Sequence, residues 1–171
     1  MSKIIAMPIK DAFIAELKHE TSLTKKMLKQ IPWDKKDWKP HEKSMTIGRL
    51  STHIADTLKW VSDIRHIDDF DFMRDYSFKF HTAETKDDLM QHFQTYLDNA
   101  INDLAEMTDE DFNNMWTVRR GEQVMFSTPK KVAVRGWAFS HQIHHRGQLS
   151  VFLRLLDIPV PGMYGPSADE R

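Results

Sequence analysis

The chain has 171 residues, with 24 Lys and Arg against 25 Asp and Glu and a formal net charge of −1. That length suits one domain, residues 1–171, with a core of its own, and the charge balance argues against nucleic acid as a partner. The absence of cysteine excludes disulfides, thiolate metal sites and a cysteine nucleophile, and fits a reducing compartment.

The opening apolar run is too short for a secretory signal and soon meets Pro8 and Lys10. No later run approaches the roughly 18 apolar residues that a bilayer span needs. The expectation is a soluble, cytoplasmic protein with no membrane partner. Pro8 opens a first helix that runs to about Gln30, with Phe13, Leu17, Thr21 or Leu23, Met27 and Ile31 at helical spacing. Pro32 and Pro40 bracket a loop that holds Trp33 and Trp38. A second helix runs from Thr46, its N-cap, to about Ile67. Its apolar stripe is Ile47, Leu50, Ile54, Thr57, Leu58, Val61 and Ile64, and His53 borders it.

Residues 68–84 alternate Asp68, Asp69, Asp71 and Asp75 with Phe70, Phe72, Phe78 and Phe80, and read as an irregular connection. Thr85 and the acids after it open a third helix, Lys86 to Glu106, with Leu89, Phe93, Leu97, Ala100 and Leu104 as its core face. Residues 108–112 suit one helical turn, and 116–126 suit a small β-hairpin turning near Gly121. A fourth helix runs from Lys130 to Leu156 along Val134, Ala138, His141, His145, Gln148 or Leu149, Phe152 and Leu156. Gly147 costs that helix about 1 kcal/mol against Ala, so a neighbouring helix is expected to approach closely there. Four long amphipathic helices predict an all-α, four-helix bundle with long crossover connections.

The chemistry concentrates in the fourth helix. His141, His144 and His145 fall within five residues. His141 and His145 are four apart, one turn above the other on one helix face, a spacing at which two imidazoles can share a divalent cation. His144 is sterically possible as well, but His145 continues the Val134–Ala138 line. With His53 as a third ligand the set suits zinc or nickel with one position open. Gln148, three residues after His145, and Asp56, three after His53, are candidate partners for the free ring nitrogens. Gln142 follows His141 where a zinc peptidase helix needs a Glu base, which argues against that chemistry. His19, His41, His66, His81 and His92 fall on polar faces or loops and read as surface. Trp60 reads as core or as a wall of the same cavity, and Arg146 as one half of an ion pair to a neighbouring helix or subunit.

Two stretches carry a family resemblance: Trp38-Lys39-Pro40 through Glu42-Lys43-Ser44-Met45-Thr46-Ile47-Gly48-Arg49-Leu50 to His53, and His141-Gln142-Ile143-His144-His145-Arg146-Gly147-Gln148-Leu149. The chain resembles the DinB/YfiT-like metal-dependent proteins, and the tail from Pro159 to Pro166 is similar to that family's C-terminal loop. The resemblance implies a four-helix bundle, a divalent metal (often nickel or zinc) on His53, His141 and His145, and a homodimer. It leaves the reaction open. The first expectation is a metal-dependent hydrolase or thiol-dependent transferase acting on an unidentified small molecule. The alternatives are a stress-associated protein with a structural metal and a metal-free helical interaction module.

Overall fold

The computed structural model describes residues 7–75 and 82–170. Its elements in chain order are helices α1 (Ile9–Leu28), α2 (Ile47–Asp56) and α3 (Lys59–His66), strand β1 (Asp69–Asp71), and helices α4 (Lys86–Glu106) and α5 (Asp109–Asn113). Strands β2 (Met115–Arg120) and β3 (Gln123–Pro129) follow, and then a rod made of α6 (Lys130–Ala133), a π-wound segment (Val134–Ser140) and α7 (His141–Leu155). The long helices pack around one core that includes Leu17, Met27, Ile47, Leu50, Ile54, Leu89, Phe93, Leu104, Leu149 and Leu153.

Helix starts follow their capping residues. Thr46, Thr85 and Thr108 each accept a hydrogen bond from the backbone N–H three residues on, and Asp111 completes a capping box with Thr108. The start of α2 is held further by the tryptophan loop. Ile47 N–H donates to Trp38 O at 2.8 Å and Gly48 N–H to Lys36 O at 2.9 Å, so the first donors of the helix are met by loop carbonyls. This approach requires glycine: a Cβ at position 48 would stand 3.0 Å from Lys36 O and 3.1 Å from Lys36 Cβ.

The second helix does not run unbroken from Thr46 to Ile67. It divides after Asp56, where the Thr57 hydroxyl bonds back to Ile54 O at 2.7 Å and Leu58 N–H bonds to Ala55 O. A β-branched hydroxyl residue competing for the carbonyls of the preceding turn tightens the winding there. The apolar stripe nevertheless continues through Val61 and Ile64, both fully buried.

The all-α expectation holds only in part. The molecule is mainly helical, but the described residues include a sheet of order β1-β2-β3. The expected hairpin is β2 and β3, antiparallel, with Gly121 at φ +60° in the turn and a register shift between Val118 and Arg119. The correction concerns the Asp- and Phe-rich connection, whose residues 69–71 pair in parallel with β2. Composition alone reads as loop there. The strand forms because Phe70 is buried, Arg119 Nε donates to Asp69 at 2.6 Å, and Asp71 accepts from Gly121 N–H at 2.9 Å. Phe78, Phe80 and His81 lie outside the described residues.

The fourth predicted helix is one rod, but Val134–Ser140 is π-wound. Its Trp137 packs edge-on against Trp60 at 5.5 Å and near Phe126 at 5.2 Å, in an aromatic cluster that joins α3, the sheet and the rod. The rod ends where Asp157 takes φ 57° and Ile158 N–H reaches back to Leu153 O. The expected close helix approach at Gly147 is absent. That residue is exposed, and a Cβ there meets nothing within 4 Å among the described residues. Among those residues no helix is long and apolar enough to cross a membrane.

Candidate metal centre

Helices α2 and α7 lie side by side, and their facing turns bring His53, His141 and His145 together. One ring nitrogen from each lies within 4.8 Å of the other two. His53 Nε2 and His141 Nε2 are 3.3 Å apart, close to the ~3.4 Å edge expected between nitrogens about 2.1 Å from a tetrahedral ion. The ring centroids are separated by 5.1 Å (His53–His141), 4.5 Å (His53–His145) and 4.7 Å (His141–His145). Between the two histidines that spacing left open, the structure brings in His145, which is buried, while His144 is exposed and not among the three converging rings.

Two of the ring nitrogens away from the cluster are held. His141 Nδ1 lies 3.3 Å from Trp137 O and His145 Nδ1 2.8 Å from Gln148 Oε1. An oxygen of this kind only accepts, so each Nδ1 carries the proton and each Nε2 turns a lone pair inward. The π-wound segment contributes to this. His141 N–H bonds to Ala138 O rather than to Trp137 O, the partner of a regular α-turn, and the Trp137 carbonyl serves the imidazole. Burial lowers the proton affinity of all three rings. His53 falls to about 4, chiefly through burial, then through its neighbours His145 and His141 and the Arg49 guanidinium. His141 and His145 are lowered for the same first reason. At neutral pH the cluster therefore presents uncharged imidazoles with converging lone pairs, the donor set of a borderline divalent ion.

Gln148 takes the role expected beside His145. Asp56 does not take the one expected beside His53. Its carboxylate is shared between His92 Nε2 at 2.9 Å and Arg49 Nη1 at 3.2 Å, in the seam between α2 and α4. His92 is consequently not a plain surface residue: it is partly buried and stacked near Tyr96 at 4.4 Å. Only its helical register toward α2 could have shown this from sequence. Trp60 is core, 8 % exposed.

Arg146 turns away from the cluster toward α1. Its Nη2 donates to Glu20 Oε2 and to Tyr164 Oη, both at 2.6 Å, and its Nη1 to Glu20 O at 2.8 Å and Thr24 Oγ1 at 3.1 Å. Glu20 and Tyr164 were not singled out in the sequence. A polar position inside a helical stripe and a tyrosine in a proline-rich tail carry no mark of each other.

Comparison with known proteins agrees with this architecture. A DinB-like protein from Bacillus cereus ATCC 10987 superposes with a TM-score of 0.69 at 22 % identity, over 90 % of this chain and 97 % of its own. A DinB-like protein from Bacillus subtilis gives 0.66 at 20 % identity, over 86 % and 95 %. The uncharacterised protein YrdA of Bacillus subtilis (strain 168) is 53 % identical over 30 residues, a match that spans 18 % of either chain. The two structures establish the fold alone. The model of the DinB family matches residues 6–171, essentially the full length, and the chain belongs to that family.

Proposed function

We propose that this DinB-family chain binds one divalent metal ion, nickel or zinc, through His53, His141 and His145, and that it works as a metal-dependent hydrolase or thiol-dependent transferase on a small molecule. The observation that carries the reading is the convergence of three imidazole nitrogens within 4.8 Å, two of them fixed with their lone pairs inward. Without a cation, His53 Nε2 can donate to the inward lone pair of His141 Nε2, 3.3 Å away; a bound ion would draw on all three rings at once. When bound, the ion supplies Lewis acidity toward an oxygen or sulfur group of the small molecule that shares it. The chain's own part is to keep the imidazoles neutral by burial and to orient His141 through Trp137 O and His145 through Gln148.

A structural role for the ion is the second reading, because its ligands would come from two different helices and clip α2 to α7. Elemental analysis of protein purified without an affinity tag tests both. One ion per chain is expected for the wild type, and a stoichiometric site should be absent from His141→Ala and His145→Ala. Full metal content in both variants after dialysis defeats the assignment. Exchange of a small ligand on the cobalt-substituted protein, followed by its visible spectrum, supports the enzyme over the clip. The family resemblance also leads us to infer a homodimer, which sedimentation tests directly; a cytoplasmic location is inferred from the sequence alone.

A further inference from the structure

One helical turn beyond the histidine cluster, about 5 Å along the helix axes, the groove between α2 and α7 opens into a pocket of about 450 Å³. Leu50, one turn before His53, forms its α2 wall. Gln148, Val151 and Phe152, the turns after His145, form its α7 wall. The connection before α2 closes the far end with Lys43, Ser44 and Met45. The volume lies within the range of small-molecule sites.

The lining is graded. Leu50 is fully buried, and Phe152 and Met45 are partly buried apolar side chains packed on the core. Phe152 is fixed from behind by Trp38, edge-on at 5.7 Å. Lys43, which is exposed, and Ser44 also line it, and no Asp or Glu of the described residues does. Four apolar residues beside one lysine, with no acid in the lining, favour an apolar body with a negative terminus. A cationic or fully polar molecule would lose hydration along Leu50 and Phe152 without an acid to replace it.

We propose that this pocket binds a small monocarboxylate with an apolar tail, the carboxylate on Lys43 and Ser44 and the tail along Leu50, Met45 and Phe152. This is a ligand site beside the metal site, and it does not require the ion. Gln148 links the two, because it lines the pocket while it orients His145.

The test uses the full chain, stripped of metal, titrated with hexanoate, with butanoate, and with hexan-1-ol as the uncharged match. Methyl NMR signals of Met45, Leu50 and Val151 report binding. Hexanoate should saturate with shifts confined to those residues, and butanoate and hexan-1-ol should each bind about fivefold more weakly or worse. Lys43→Glu should weaken hexanoate by about fivefold, the scale of an exposed ion pair, whereas Lys43→Arg retains it. Val151 is 56 % exposed, so Val151→Trp fills the mouth without entering the core and should abolish binding. The proposal is overturned by absence of saturation below about 10 mM, by equal binding of the alcohol, by unchanged binding in folded Val151→Trp, or by binding that needs the metal and ignores Lys43. The last result leaves the metal reading standing. Binding to metal-free protein alongside a failed metal assay would overturn the metal reading alone.

Discussion

His145 and Arg146 are consecutive, yet they serve opposite faces of α7 in opposite ways. Toward α1, Arg146 is 3 % exposed and both its terminal nitrogens are taken by Glu20, Thr24 and Tyr164. That face is a closed ion pair in which charge is matched and the hydrogen-bond geometry is complete. Toward α2, His145 shares a space with two further imidazoles, one ring nitrogen of each within 4.8 Å of the others, and the partners that orient His141 and His145 are neutral. Both faces are polar and largely buried. One is finished by the chain, and the other could hold a cation from outside. Burial of a polar group is thus a poor guide to function until its partners are counted.

The sharpest way to break this contrast is to remove Arg146. Arg146→Leu leaves the Glu20 carboxylate buried beside an apolar side chain, and unfolding stability should fall by about 3–5 kcal/mol in denaturant titrations. Replacing both partners, Glu20→Leu with Arg146→Leu, should recover much of that loss, because no unpaired charge then remains. Metal stoichiometry in whichever variant folds should stay that of the wild type. If it collapses together with the ion pair, the two faces are one unit and the comparison is wrong.

Acid probes the other face. In the metal-free protein His53 takes up its proton only at about 4, against an ordinary value of 6.5. Between those values the unfolded chain binds a proton that the native cluster refuses, so stability falls as pH drops from 6.5 toward 4 and is flat above 6.5 with respect to this group. Allowing for solvent screening of a half-buried ring, the size for His53 is on the order of 2–3 kcal/mol, with His141 and His145 adding in the same direction. Denaturation midpoints measured across that interval should show the slope in the wild type and a reduced slope in His53→Ala. An equal slope in both would place the acid sensitivity elsewhere.

Much of this arrangement was legible in the residues themselves, for identifiable reasons. His141 and His145 stood out because a four-residue interval inside an apolar stripe has one geometric meaning. His53 joined them because its own stripe faces the same core. Thr46, Thr85 and Thr108 marked helix starts through a local, short-range interaction that any sequence window contains. What escaped was non-local or a small change in winding. β1 is held by Arg119 and Gly121, some fifty positions away, so its acid-rich residues read as loop. The division at Thr57 and the π-winding before His141 each shift a helix by a fraction of a turn, too little to disturb its apolar periodicity. Asp56 was placed beside His53 by spacing along one helix, but a partner on α4 competes for it, and sequence spacing within α2 carries no information on α4.

Gln148 separates orientation from packing. It is exposed, and it accepts from His145 Nδ1 at 2.8 Å while lining the neighbouring pocket. Gln148→Leu should therefore leave the unfolding midpoint of the metal-free protein nearly unchanged while weakening metal binding about 10–100-fold, or roughly 1.4–2.7 kcal/mol, in a chelator competition. Gln148→Glu, which keeps an acceptor, should retain most of the affinity. Unaltered affinity in the leucine variant would mean that His145 is positioned by its surroundings alone.

The smallest effect concerns the surface between the two faces. Gly147 sits mid-helix, exposed, with open space where a Cβ would be. By helix propensity and the lower entropy of the unfolded chain, Gly147→Ala should raise stability by about 0.5–1 kcal/mol. The prediction holds for an α7 whose outer surface meets only water. If alanine lowers the melting temperature instead, and does so more strongly at high protein concentration, something seats against that surface in solution, and a second copy of the chain is the simplest occupant. The same substitution then acts in opposite directions according to whether α7 has a third partner besides α1 and α2, which makes its sign more informative than its size.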